Sequence, residues 1–350
     1  MISGYIRLKD NTTIAVTDAN LVANSLSVQM SVCRTSYQLG TFNAAMMKIG
    51  IIDDDAASRD FTGAKIVLQK VVTGEEPVKL GEYYVDGTKT KRQKNQVTLT
   101  AQDGSAVFDT EISTNVRSAE YNSAYDALLA CCTAVGIALA TNDFSEFPNY
   151  QVHIKPASAA IQTYRDIVMW ICQLLAAHAV LNRNGALEIR HARRNVGTAE
   201  DVINEASDRS GIEFSDGRLY VKYMTAYSAG KPKNYRNNTA FQDPAAKPGT
   251  LSLSWNPLLD GMSESDCDTI NLAILNDLRL FMQRQITAKL FDDPTIALDM
   301  GVRFRGGKID SRLSIIGMVT AVTWRYHGDT TVTCAAMPAV KDDADEQTEP

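Results

Sequence analysis

Gly81-Glu82-Tyr83-Tyr84-Val85, the basic stretch Lys89, Lys91, Arg92 and Lys94, and then Gln96-Val97-Thr98-Leu99-Thr100-Ala101 read as a strand, a polar turn and a returning strand. In the return segment Val97, Leu99 and Ala101 alternate with threonines, the period of two expected when one face of a strand is buried and the other is wet. The same signal extends upstream. Ala64 to Val72 continues it, and Leu26-Ser27-Val28-Gln29-Met30-Ser31-Val32 alternates strictly. Tyr5 to Leu8 and Ile14 to Val16 flank Asp10-Asn11-Thr12, residue types that favour turns, so a hairpin is expected there. Residues 1–112 therefore read as an antiparallel β unit.

The pattern changes after Ile112. Tyr121 to Ala140 is rich in alanine and leucine, and Tyr125, Leu128, Leu129 and Cys132 form a helical stripe. A second helix is expected from Thr163, which forms a capping box with Asp166, to about Ala179. Arg183-Asn184-Gly185 then separates two short apolar runs, and its Asn-Gly pair favours a tight primed hairpin turn. Residues 113–196 read as a small α+β domain. Strand signals return at Gly217 to Tyr223, followed by a polar segment, Ser228 to Gly249, expected to be a long loop that is mobile or laid against a partner. Ser265 to about Leu290 is expected to be one long amphipathic helix, with Ile270, Ile274, Leu278, Phe281 and Met282 on one side. Ile315 to Tyr326, a His327-Gly328-Asp329 turn and Thr331 to Ala335 close the chain as β structure, giving a second β region over residues 197–340. It echoes the first, because Gly81 precedes Val97-Thr98-Leu99-Thr100-Ala101 much as Gly317 precedes Val332-Thr333-Cys334-Ala335-Ala336.

The formal charge of the 350 residues is −6, and −4 of it sits on the last ten, five carboxylates against one lysine. Residues 341–350 are thus expected to be a disordered acidic tail, and no global basic field draws the chain to nucleic acid. The amino-terminal residues alternate at once as a first strand, without the charged and apolar regions of a secretory signal, so the chain is expected to stay in the cytoplasm where it is made. No apolar run approaches the ~20 residues needed to span a bilayer.

Residues with catalytic or ligand chemistry are scattered. No Gly-x-Ser-x-Gly, His-Glu-x-x-His or phosphate-loop pattern occurs. The cysteines, Cys33, Cys131, Cys132, Cys172, Cys267 and Cys334, make no C-x-x-C pair, and the histidines, His153, His178, His191 and His327, stand apart, so buried free thiols are expected in place of zinc ligands. Asp53-Asp54-Asp55 offers clustered carboxylates for a divalent cation but lacks the interleaved ligands and turn glycine of a calcium loop, and reads as a solvated turn. His178 reads as a core histidine, and His191 as part of a basic strand edge. The basic clusters Lys89–Lys94 and Arg190–Arg194 contain none of the interleaved aromatics of a nucleic-acid binder and suit exposed charge or contacts to a neighbouring subunit. No catalytic, cofactor-binding or metal residue is assigned, and no cofactor is expected.

Leu80-Gly81-Glu82-Tyr83-Tyr84-Val85-Asp86, followed by Gln96 to Asp103, resembles the tail and baseplate hub proteins of phages and prophages. Those show a "Leu-Gly-x-Phe/Tyr-x-Val-Asp" strand, a polar turn, and a strand ending in "Ala-Tyr-Asp"; here Gln102 takes the place of the usual aromatic. Ser25-Leu26-Ser27-Val28 with Leu39 to Ala45 is similar to the opening of that family, and Thr163 to Ile167 with Asn184 to Ile189 to its middle. Ile315 to Thr320 with Trp324-Arg325-Tyr326-His327-Gly328 is similar to its "Gly-x-Ile-Thr … Trp-x-Tyr-x-Gly" closure. The resemblance covers most of residues 1–340. It implies an α+β, mainly β fold with two tube-like antiparallel β-barrel domains, residues 1–112 and 197–340, and the small α+β domain between them. It further implies a homotrimeric, non-enzymatic hub of a virion tail that bridges a six-fold tail tube and a three-fold tip through the barrel duplicated within each chain. The partners implied are tail tube or distal tail ring proteins, a tape measure protein and a tip or spike protein, without specific nucleic-acid binding or a membrane. Many relatives carry a peptidoglycan-cleaving module after the hub; with about ten residues past the last expected strand, no such module is expected here. Two other readings stay open, a tail-associated peptidoglycan endopeptidase and a receptor- or glycan-binding module. The second would expose aromatics such as Trp255 or Trp324, although Trp324, in a strand with Val322, reads as a core residue.

Overall fold

The Asp10-Asn11-Thr12 turn forms as expected, with Asn11 at a left-handed φ of 68° and Asp10 accepting from the Thr12 amide at 2.8 Å. It joins β1 (Ile2–Arg7) and β2 (Thr13–Thr17), which pair antiparallel. A computed structural model describes residues 1–32, 38–93, 95–141, 143–190, 201–204, 213–214, 219–237, 247–278, 281–298, 300–305 and 314–338. The other strands of the first region are β3 (Ser27–Ser31), β4 (Met46–Ile52), β5 (Lys65–Lys70), β6 (Val78–Val85), β7 (Lys91–Gln93) and β8 (Gln96–Asp103). The hairpin read from residues 81–101 is present. β4 holds one edge of β8, while β6 and the short basic β7 share the other.

Between the β regions lie α1 (Thr114–Ser118), α2 (Ala124–Val135) and α3 (Tyr164–Leu174). Ser123 caps α2 through the Asp126 amide, and Gly136, at φ 72°, ends it well short of the expected Ala140. The Thr163–Asp166 capping box of α3 is complete in both directions. That helix stops at Leu174, before the expected Ala179, because Ala176 turns to φ 51° and His178–Leu181 becomes β9, paired with β10 (Leu187–Arg190). The turn between them is not a two-residue primed turn. The Asn182 amide donates to Ala186 O at 2.9 Å, Gly185 takes φ 77°, and the loop is the three-residue kind that ends on a left-handed residue.

The second β region contains β11 (Asp201–Asn204), β12 (Glu213–Phe214), β13 (Leu219–Ser228), β14 (Lys231–Arg236), β15 (Lys247–Ser252), α4 (Glu264–Leu278), β16 (Phe281–Phe291), β17 (Gly301–Arg305), β18 (Ser314–Arg325) and β19 (Asp329–Pro338). Two expectations are corrected here. The segment Ser228–Gly249 is not one long loop, since β13 and β14 form a tight antiparallel hairpin and Lys247–Gly249 enters a strand parallel to β13. Residues 238–246 lie outside the described residues. The expected helix over 265–290 is α4 followed by a strand: Ile286, Ala288 and Leu290 are all buried, a spacing of two that a helix would spread around its circumference.

Among the described residues seventeen strands belong to one hydrogen-bonded sheet system, and no ring of strands closes within it. Fold class is mainly β, with antiparallel pairing dominant. The pairings β2–β1–β5–β6–β8–β4–β3–β18–β19–β16 run as one continuous antiparallel series. The two β regions, far apart in sequence, therefore join edge to edge where β3 meets β18.

Three large groups of buried side chains lie under this series. One is built on Ile6, Met47, Ile49, Ile66 and Leu99 and includes Trp324 and Tyr326 from β18 and its turn. A second groups Ile286, Val302, Phe304, Val322 and Val332. The third fills the helical module and runs on without interruption to Met224, Tyr235, Ile270, Ile274 and Leu278. The described cysteines, Cys131, Cys132, Cys172, Cys267 and Cys334, are all buried free thiols; Cys33 lies outside the described residues. Burial raises the Cys131, Cys172 and Cys334 thiols and pushes Cys132 up to about 12. Alanine at Cys131 or Cys132 should cost about 1–2 kcal/mol, the size of a small cavity. In a Cys33→Ala background the native protein should take up no thiol reagent near neutral pH until it is unfolded.

Candidate assembly surface

Side chains on a strand alternate between faces, so the registers define which residues share a face. Direct cross-strand neighbours run Thr13, Arg7, Lys65, Tyr84, Gln102, Met46, Gln29, Thr323, Thr331, Lys289, one from each of ten strands. None of the ten is buried. The adjoining row on the opposite face, Val85, Ala101, Met47, Val28 and Trp324, is buried throughout. The sheet thus has a core on one side and a wet, largely polar face on the other, with Met46 as the aliphatic member of the row. Its three charged members are all basic, and Glu82 on β6 pairs with Lys65 at 2.6 Å and Lys79 at 3.0 Å.

Two carboxylates lock the seam between the β regions. Asp292, just after β16, accepts from Trp324 Nε1 at 2.8 Å and the His327 amide at 3.3 Å, and pairs with Lys70 of β5 at 3.0 Å. Asp18, just after β2, accepts through one oxygen from the Ile2 amide at 2.8 Å and the Tyr326 hydroxyl at 2.9 Å. Burial opposes ionisation of Asp18, but the Ile2 amide and Tyr326 hydroxyl outweigh it and hold the carboxyl below its ordinary value of 3.8. A depressed folded-state value means that the ionised form stabilises the fold above pH 3.8 and that this contribution is lost as pH falls through the folded value. Asp18→Asn keeps the accepting oxygen and removes the charge. Melting temperatures should therefore differ most between wild type and variant above about pH 5 and converge toward about pH 2; a difference that stays constant with pH would contradict the assignment.

The helical module is tied to the first β region by Arg165 on α3. Its guanidinium donates to Phe42 O at 2.6 Å and Ser105 O at 2.8 Å, lies 4.7 Å from the Phe42 ring, and pairs with Asp109. Asp103 beside it is almost wholly buried; burial raises its carboxyl, although the Ala45 and Ser105 amides donate to it at 2.9 and 3.1 Å. Toward the second β region, Arg183 donates to Pro294 O and Thr295 O, and Arg190 to Leu298 O.

The residues singled out from sequence fall elsewhere. Asp53 and Asp55 pair with Arg59 at 2.9 and 2.7 Å, and no group of potential metal ligands occurs among the described residues. His178 is fully buried in β9, whereas His191 is outside the described residues. Of the basic clusters, Lys89 pairs with Asp86 at 3.1 Å, Arg92 donates to Arg59 O at 2.8 Å, and Arg190 pairs with Glu188 at 3.1 Å. Lys94 and residues 191–194 are not among those described. Trp324 is 2% exposed, as its alternation with Val322 indicates, and Trp255 is 36% exposed. Sequence reasoning missed Asp18, Asp292 and Arg165, because nothing near each in sequence marks its partner. No helix among the described residues is long and apolar enough to cross a membrane.

No family model matches the chain, and a search of curated proteins gives no match. Solved structures do match: the chain has the fold of prophage tail proteins. A 43 kDa tail protein of prophage MuSo2 from Shewanella oneidensis aligns with a TM-score of 0.58 and 10% identity, over 95% of this chain and 98% of that one. A tail protein from Neisseria meningitidis MC58 aligns at 0.57 with 11% identity, over 98% and 97%. The prophage tail protein gp18 from Listeria monocytogenes EGD-e aligns at 0.52 with 11% identity, over 95% and 94%.

Proposed function

We propose that the chain is a non-enzymatic structural hub of a phage-type tail, three copies of which close the distal end of the tail tube. In this reading residues 1–112 and 197–340 are two tube-like β units, residues 113–196 the module between them, and residues 341–350 an acidic tail. The observation that carries the reading is the ten-strand row of residues left unburied on one face. One subunit offers two β units fused side by side at β3–β18, with a single wet face running across both. Three such subunits would set six sheet units around one axis, which matches a six-fold tube on one side and a three-fold tip on the other. The wet face then lines the channel, and the buried face encloses the cores of the β units themselves. Sharing a fold over nearly its whole length with prophage tail proteins supports the same role. The partners in this reading are tube or distal ring proteins, a tape measure protein and a tip or spike protein, and the site of action is the virion tail.

The α4 face does not support trimer formation. Its apolar residues Ile270, Ile274, Leu275 and Leu278 are already covered within the subunit, and Leu272, 43% exposed, stands apart from them. Channel lining is tested by placing cysteine at Gln29, which is exposed at the seam on the wet face. In the free subunit this thiol should react with both a small maleimide and one coupled to a large polymer. In assembled tails only the small reagent should react. Equal labelling by the large reagent in both states would place the row outside the channel.

A further inference from the structure

An open cleft of about 590 Å³ lies in the helical module, lined in part by Asn122, Tyr125, Asp143, Phe144, Tyr150 and Gln151. None of its lining residues belongs to the ten-strand row. Its size falls within the roughly 300–1,000 Å³ of small-ligand sites. The walls are pinned before any ligand arrives. Tyr121 and Ile154 exchange backbone hydrogen bonds at 2.9 Å each, the Ala124 amide donates to Tyr150 O at 3.0 Å, and Asn149 reaches from the same loop to Leu174 O at 2.9 Å. Phe144 forms part of the base, edge-on to Tyr125 with ring centroids 5.5 Å apart. Asp143 is oriented by the Ser145 amide at 2.9 Å and hydroxyl at 2.7 Å.

The lining defines the ligand chemistry. His153 at the margin is the one basic side chain in it, so nothing there matches a phosphate or another polyanion. Lys155, two residues further on, is paired with Glu120 at 2.5 Å. The lining offers two half-buried tyrosines as flat surfaces. Around them stand two exposed amides, Asn122 and Gln151, whose side chains make no hydrogen bond to another described residue. Planar amide and carboxylate groups can each engage two neighbouring hydroxyls, and an aromatic face covers the apolar C–H face of a sugar ring. We propose that this cleft binds a neutral saccharide of a few pyranose rings, the aromatic side chains taking the ring faces and Asn122, Asp143 and Gln151 the hydroxyls.

The proposal stands independently of the hub reading, because it concerns a side of the helical module and not the sheet. The test is saturation-transfer NMR on the full chain with chitotriose and maltotriose as probes, alongside inorganic phosphate. Transfer to at least one trisaccharide is expected at millimolar concentration. It should weaken about tenfold or more in an Asn122→Ala/Gln151→Ala double variant, whose exposed positions leave the circular dichroism and melting temperature unchanged. Tyr125→Phe should retain binding and Tyr150→Ala should weaken it. No transfer to either sugar from folded protein, transfer that the double variant leaves intact, or binding of phosphate in place of the sugars would each overturn it.

Discussion

Replacing Trp324 by alanine is expected to destabilise the protein by about 3–5 kcal/mol, the range for truncating a buried large aromatic. The indole is 2% exposed, packs in the core of the first β region although it belongs to β18 of the second, and donates to Asp292 at 2.8 Å. Its loss opens a cavity at the seam and leaves a partly buried carboxylate with one fewer donor. Both β regions should therefore weaken together, and denaturant unfolding followed by fluorescence and by far-ultraviolet circular dichroism should shift to the same lower midpoint. Trp255→Ala, at a 36% exposed position, should change stability by only about 0.5 kcal/mol. If the two substitutions cost the same, or if only part of the secondary structure melts early in Trp324→Ala, the seam does not join the two regions energetically.

Arg165→Ala should cost about 2–4 kcal/mol, because a mostly covered guanidinium is removed from two part-buried carbonyls, whereas the exposed Asp109 carboxylate falls back on water. The fork geometry matters as much as the charge. One guanidinium serves Phe42 O, Ser105 O and Asp109 while lying against the Phe42 ring. Lysine offers a compact ammonium that cannot reach all of these together, so Arg165→Lys should recover less than half of the loss. Thermal unfolding of the three proteins measures this directly. Full recovery by lysine would mean that Arg165 acts through charge alone.

Much of the β structure was legible in the sequence because its signals are local. The Asp10–Thr12 turn, the alternation of Leu26–Val32 and Val97–Ala101, and the Thr163–Asp166 box each specify their structure within a few residues. Misreadings arose where a local pattern fits two periods. Phe281 and Met282 extend the stripe of Ile270, Ile274 and Leu278 at helical spacing, yet Ile286, Ala288 and Leu290 also alternate, and pairing with β19 decided for the strand. Ser228–Arg236 looked like a loop because its Lys and Asn residues are polar and its Pro232 lacks the N–H that a strand uses. Its stability comes instead from Lys233, which pairs with Glu264 at 2.9 Å and Asp268 at 2.6 Å on α4, and from the Tyr235 hydroxyl, which donates to Asp268 at 2.7 Å. Tryptic cleavage of the free protein at Lys233 is accordingly not expected. The candidate surface itself was invisible, since the β3–β18 pairing joins residues some 290 positions apart and nothing in either strand names its partner.

In the proposed assembly three copies of this chain form a ring in which six sheet units surround one channel. The most direct measurement is mass photometry of the purified chain, with class averages from negative-stain images of the same sample. Particles of three times the subunit mass are expected, with three-fold symmetry and a central opening bounded by six similar densities. A particle that remains a monomer at micromolar concentration and still fails to form a three-fold ring with its tail-tube partner present would contradict it, as would a closed ring of any other order.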